Sequence, residues 1–302
     1  MKVLAGATAL TAITGMSAYA AAPKAAKAPP PIADYWMDVT TSSGFGAGMT
    51  AGAQPSAEQV MAMMSGGGGS VGHALDLRLA SKTKPAAAPQ ADHFVPPAVQ
   101  MGASLPLVTP VRVEVPAAPA TFQRPQGRMI IYWGCGEHAG AGQPTIIDFS
   151  KLAAGEIPPQ WKAMAGAAKV VTGPTSAPGF GRWPNDKDPR SLPSSSSVIG
   201  AHRIAGNYSP EIAFTLSQDF MPGLCLMDAG ALPSGAARLR WTPAASATGY
   251  ALAMFGSSQS GDVIMWSSGK SAAMPTLDYL APAEVKRLVA AGAVLPPGTS
   301  EC

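Results

Sequence analysis

The chain has 302 residues, of which 47% are hydrophobic and only 13% charged, and its formal net charge is +3. That is enough apolar material for one large domain or two small ones, and the lack of any block of like charge argues against nucleic-acid binding. Gly (33) and Pro (30) recur too often for long helices and favour short strands joined by turns.

Residues 1–20 read as a signal peptide. Lys2 gives a positive start, Val3 to Met16 is an apolar run, and Ala18-Tyr19-Ala20 is an A-x-A cleavage signal. The run is too short for a membrane anchor, and no later stretch is long enough to span a bilayer. The expected location is the periplasm or outside the cell, where disulfides persist. Residues 21–72 form an Ala/Pro/Gly-rich segment. Within it Tyr35-Trp36-Met37 is an isolated apolar cluster, and Ser56-x-x-Gln59 opens one short helix by a capping-box pattern.

A first β unit is expected over 73–150. Leu75, Leu77 and Leu79 alternate with Asp76 and Arg78, and Val111, Val113 and Val115 alternate with Arg112 and Glu114. Met129–Trp133 is apolar on both faces, as in a strand covered on both sides, with Ile146–Phe149 as its partner. Residues 151–197, rich in Pro and Ser, read as an irregular connection. A second β unit is expected over 198–302. It begins at Val198–Ala205 and continues through Ile212, Phe214 and Leu216, then Leu239 and Trp241. Tyr250–Phe255 and Val263–Trp266 are apolar on both faces. Pro282, Glu284, Leu288 and a closing Gly292 predict a helix.

The two units carry similar segments. VRVEVP, RMIIYWG and PTIIDFS in the first correspond to LRWTP, YALAMFG and DVIMWSS in the second, a pattern of tandem duplication. Leu239-x-Trp241-x-Pro243, followed by Ala247-Thr248-Gly249-Tyr250 and the paired strands, resembles a fibronectin type III module over about thirty residues. The whole chain resembles an uncharacterised family of exported bacterial proteins, through YWGCGE (132–137), RWPN (182–185) and NYSPEI (207–212). The expected fold is mostly β: two related fibronectin-like or immunoglobulin-like β-sandwich units with short helices.

Two loops carry candidate chemistry. Cys135, Glu137 and His138 lie within four residues in a glycine-rich loop, where the second copy has a plain turn. A thiolate, a carboxylate and an imidazole suit zinc or copper, or a thiol activated by its histidine. Structural zinc takes four ligands, so His93 or His202 would complete the set. The alternative is a surface loop with a buried or disulfide-bonded cysteine. The other loop is Arg182 to Asp186: Trp183 could stack on a sugar ring while Asn185 and Asp186 bind hydroxyls, or else Trp183 packs as core. Gly134-x-Gly136 is no dinucleotide loop, because Pro144 and a strand follow it instead of a helix.

Three cysteines cannot all pair within one chain, and Cys225 with Cys302 is the preferred disulfide. These features favour a non-catalytic exported binding or structural protein of the bacterial envelope, needing no cofactor, with an unknown protein or glycan as partner. A metal- or thiol-dependent hydrolase centred on Cys135 and His138 is one alternative, and a glycan-binding module is another.

Overall fold

The computed structural model describes residues 31–43, 71–110, 127–151, 159, 168–169, 171, 173–272 and 280–302. The fold is mostly β. Thirteen strands form four sheets, with one α-helix among the described residues. No helix among them is long and apolar enough to cross a membrane. The expected helix at Ser56 and the strand at Val111–Val115 lie outside the described residues.

The larger body has two sheets. Strands β1 (Ala33–Ser43), β2 (Val71–Ser81) and β7 (Gly179–Trp183) form one, in the order β1-β2-β7 and antiparallel throughout. Strands β3 (Ala91–Phe94), β4 (Ser104–Pro106), β8 (Gly200–Gly206) and β9 (Ile212–Leu216) form the other, in the order β4-β3-β8-β9. Their inner faces share one core. The alternation of β2 points Leu75, Leu77 and Leu79 inward, where they meet Trp183 of β7 and Leu105 and Ile204 of the second sheet. Leu77, Leu79, Leu105 and Ile204 are fully buried. Each such side chain contributes about 1.5–3 kcal/mol by leaving water.

Two strands of this body lie where the sequence predicts none. β1 runs through the Tyr35 cluster and pairs with β2 along its whole length, from Ala33 opposite Ser81 to Ser43 opposite Val71. β7 lies inside the stretch read as irregular. Its sequence, GFGRW, has glycines where a strand normally shows side chains. The reason is close packing. A Cβ on Gly181 would stand 2.6 Å from the Leu107 carbonyl oxygen and the Tyr208 hydroxyl, and one on Gly179 would be 2.6 Å from the Tyr208 ring.

The second body is built on β5 (Arg128–Trp133), β6 (Thr145–Asp148), β12 (Ala253–Ser257) and β13 (Val263–Ser267), in the order β12-β13-β5-β6. The two similar segments are thus neighbouring hairpins of a single sheet, joined by parallel pairing of β13 with β5 from Val263 opposite Met129 to Ser267 opposite Trp133. Strand pairing crosses the boundary drawn between 73–150 and 198–302. β3 pairs with β8 across it, and β5 pairs with β13. Ile131, Ile147 and Phe149 form a small core on one face. Central β13 is exposed at Val263 and half-buried at Ile264, Met265 and Trp266. β12 is an edge strand, exposed along its whole length.

Strands β10 (Leu226–Ala231) and β11 (Ala237–Trp241) make a two-stranded ladder. The chain end extends it, with Leu239 and Cys302 exchanging backbone hydrogen bonds of 2.8 and 2.9 Å. Helix α1 (Pro282–Ala290) begins at Pro282, as expected from a residue whose φ is preset and whose missing N–H is not needed there. Gly292, at φ +70°, ends it. Leu288 is buried, and Glu284 pairs with Arg287 at 2.6 Å and accepts the Lys169 N–H at 2.8 Å. Trp241 is buried, whereas Trp133 and Trp266 are half-buried.

Candidate functional site

The cysteine loop is not a metal or thiol centre. Cys135 is bonded to Cys302, with their Cα atoms 4.8 Å apart, and Cys225 is free and exposed. This corrects the expected Cys225–Cys302 pairing. The ladder that carries Cys302 along β11 delivers it to the loop after β5. A sulfur in a disulfide is neither a thiolate nor a ligand, so the set of Cys135, Glu137 and His138 loses its soft donor. Glu137 and His138 are exposed. No group of three or more metal-binding side chains occurs among the described residues. The loop is also pinned at its base. The Gln143 amide accepts from the Trp133 N–H at 3.0 Å and donates to the Trp133 carbonyl at 2.8 Å.

The loop at Trp183 is a structural corner. Trp183 is 1% exposed, so neither ring face is open to a sugar. Its indole N–H donates to Asp188 Oδ2 at 3.0 Å, and Arg190 clamps the same carboxylate at 2.6 and 2.8 Å. Arg190, and after it the indole, outweigh burial and hold the Asp188 carboxyl down at about 2. The Asn185 amide donates to the carbonyls of Pro106 and Arg182, and its oxygen accepts from the Lys187 and Asp188 N–H groups. All of its hydrogen-bonding capacity is spent on the corner. Asp186 is exposed. The stacking platform expected from Trp183, Asn185 and Asp186 therefore does not exist.

The two histidines considered as extra ligands form a different constellation. His93 of β3 and His202 of β8 both point inward, at 0% and 2% exposure. His93 Nε2 lies 2.9 Å from His202 Nδ1, the Tyr35 hydroxyl 2.8 Å from His93 Nδ1, and His202 Nε2 2.7 Å from the Val198 carbonyl oxygen. A carbonyl only accepts, so His202 Nε2 carries hydrogen and its Nδ1 accepts. His93 Nε2–H therefore donates to His202, and Tyr35 O–H donates to His93. One direction of donation satisfies every polar atom in the chain. Phe214 stacks on His202, with ring centroids 5.2 Å apart. Burial, and then the neighbouring His202, push His93 down to about 3, and burial raises the Tyr35 phenol. The far end of the chain is a peptide carbonyl, which holds no exchangeable proton. The constellation is a strut tying β1 to the facing sheet.

The open feature lies on the other side of the same strands. Alternation sends Phe94, Ala201, Arg203, Ala213 and Thr215 outward from β3, β8 and β9. Phe94 stands opposite Arg203, Arg203 opposite Ala213, and Ala201 opposite Thr215. Together they line a shallow recess of about 540 Å³. Val95, His202 and Phe214 also line it. The Arg203 guanidinium lies 3.9 Å over the Phe94 ring and meets Glu211 at 3.1 Å. Sequence reasoning missed the recess because its residues are scattered over three strands, and only their register brings them together.

No protein-family model matches the chain, nor does any curated protein or solved structure.

Proposed function

We propose that the protein is an exported, non-catalytic binding protein of the bacterial envelope, and that the recess on the outer face of β3, β8 and β9 is where it binds. The recess carries this reading. It joins concavity, an aromatic wall and a guanidinium held in place, and its volume falls within the roughly 300–1,000 Å³ of small-molecule sites. Export is supported by the signal-peptide pattern of residues 1–20 and by the Cys135–Cys302 disulfide, a bond that persists in oxidising compartments. The reading agrees with the resemblance to exported bacterial proteins. On it, the two-sheet body belongs with sandwich modules of the fibronectin or immunoglobulin kind, which host binding functions of many sorts.

The test is a ligand-observed NMR screen of small molecules against the purified chain and its Ala213→Trp variant. Ala213 points outward from β9, so tryptophan there fills the recess without entering the core. The expected result is a set of ligands that bind the wild type and are lost in the variant. Ligands that bind both equally, or none at all, would overturn the proposal.

A further inference from the structure

We infer that the recess is selective for a small ligand bearing one carboxylate beside an apolar group, with Arg203 as its anchor. This rests on the binding role proposed above and names the ligand class.

The argument begins with Arg203. Its guanidinium carbon lies 3.9 Å from the Phe94 ring centroid, so the ring restrains the guanidinium before any ligand arrives. A restrained fork loses less freedom on binding than an extended, solvated side chain. Of its five N–H groups, the hydrogen bond to Glu211 uses Nη1. The others hydrogen-bond no described residue, which leaves the Nε–Nη2 edge for bidentate contact with a carboxylate. The pair with Glu211 is exposed, at 43% and 58% side-chain accessibility, so it restrains the arginine weakly.

Charge narrows the choice. Among the described residues Arg203 is the one basic side chain lining the recess, and Glu211 offsets its charge. A phosphate dianion would be left with more uncompensated charge there than a single carboxylate, whose contact is the free edge of the fork. A neutral ligand would leave the fork unused. The rest of the lining suits an apolar neighbour to the carboxylate: Phe94, Val95, Ala201 and Ala213, with Thr215 as a polar member. Asp92 shares this face one row away, where Ser104 donates to it at 3.2 Å. It places a negative boundary beside the anchor and favours a short ligand.

Benzoate, benzamide and benzylammonium share a ring and differ in charge, so they serve as probes. Backbone amide shifts of the purified chain report where each binds. Benzoate should shift the amides of residues 201–203 and 213–215 saturably, and bind at least tenfold tighter than benzamide. Benzylammonium should not bind. Arg203→Gln should bring benzoate down to the benzamide level, and Arg203→Lys, which keeps the charge and loses the fork, should lie between. Ala213→Trp should remove binding of both, with the melting temperature unchanged. If benzamide matches benzoate at these amides, the carboxylate selectivity is wrong and the binding role stands. If no probe moves these amides, or Ala213→Trp leaves benzoate binding intact, the recess is not the site and both fail.

Discussion

At the scale of single residues, His93 shows how burial turns a common side chain into a pH-dependent one. Its folded value is about 3 and its unfolded value is near 6.5. Between those limits the unfolded chain holds a proton that the folded chain refuses. The stability it contributes is therefore complete above about pH 6.5 and is lost progressively as pH falls towards 3, at up to about 1.4 kcal/mol per pH unit. Asp188, held at about 2, adds a second loss from about pH 4 downward. Urea unfolding at pH 7, 6, 5 and 4 should show a steady decline that His93→Leu flattens, with a lower starting value because Tyr35 and His202 each lose a partner. Trp183 gives a second test. Trp183→Ala should destabilise the chain by about 3–5 kcal/mol, as expected for an emptied aromatic site in a core. Trp183→Phe should cost about 1–2 kcal/mol for the lost hydrogen bond to Asp188, with a further cavity cost for the volume that the smaller ring leaves empty. A Trp183→Ala variant as stable as wild type would show that the ring is not core. Packing of Trp183 as core was one of two readings open in the sequence, and the buried pairing of His93 was not legible at all. An indole beside Pro-Asn-Asp and a histidine beside Asp look the same whether they face solvent or the interior, because burial is decided by strands far away in the chain.

At the scale of elements, strands with strict alternation were legible, and those with glycine or mixed composition were not. β2 follows its leucines, and α1 starts at its proline. β7 was hidden because Gly179 and Gly181 are small for the sake of Tyr208 and Leu107, contacts that no local pattern encodes. β12 was misjudged in the opposite sense. Its apolar residues suggested burial on both faces, yet Met254 is 50% and Phe255 66% exposed. An exposed apolar edge strand is a template for pairing with another chain. Phe255→Lys should reduce concentration-dependent association in analytical ultracentrifugation and change folding stability by no more than about 0.5 kcal/mol. Unchanged association would remove β12 as the surface responsible.

At the scale of the whole molecule, the chain alternates between its sheets. It builds part of the two-sheet body, supplies β5 and β6 to the other sheet, returns for β7, β8 and β9, and then completes the second sheet with β12 and β13. Similarity between hairpins was legible in the sequence. Their placement side by side was not, because a duplicated pattern is compatible with two modules or with one sheet, and only strand pairing decides. Cross-linking Cys135 to Cys302 closes a long loop, worth about 5 kcal/mol as a chain-entropy ceiling. Thiol titration of the unfolded, unreduced chain should find one reactive group, Cys225, and three after reduction. Finding Cys225 protected and Cys302 reactive would reverse the assignment.

That connectivity bears on how the protein is made. On the export proposed above, the chain crosses a membrane from its amino end and presents Cys135 and then Cys225 to the oxidising machinery before Cys302 arrives. A bond formed in order of arrival joins the first two, and thiolate attack must then exchange it for the native one. Maturation should therefore depend on a disulfide isomerase. Cys225→Ser should remove that dependence, with the variant reaching its oxidised form at the same yield in cells with and without the isomerase.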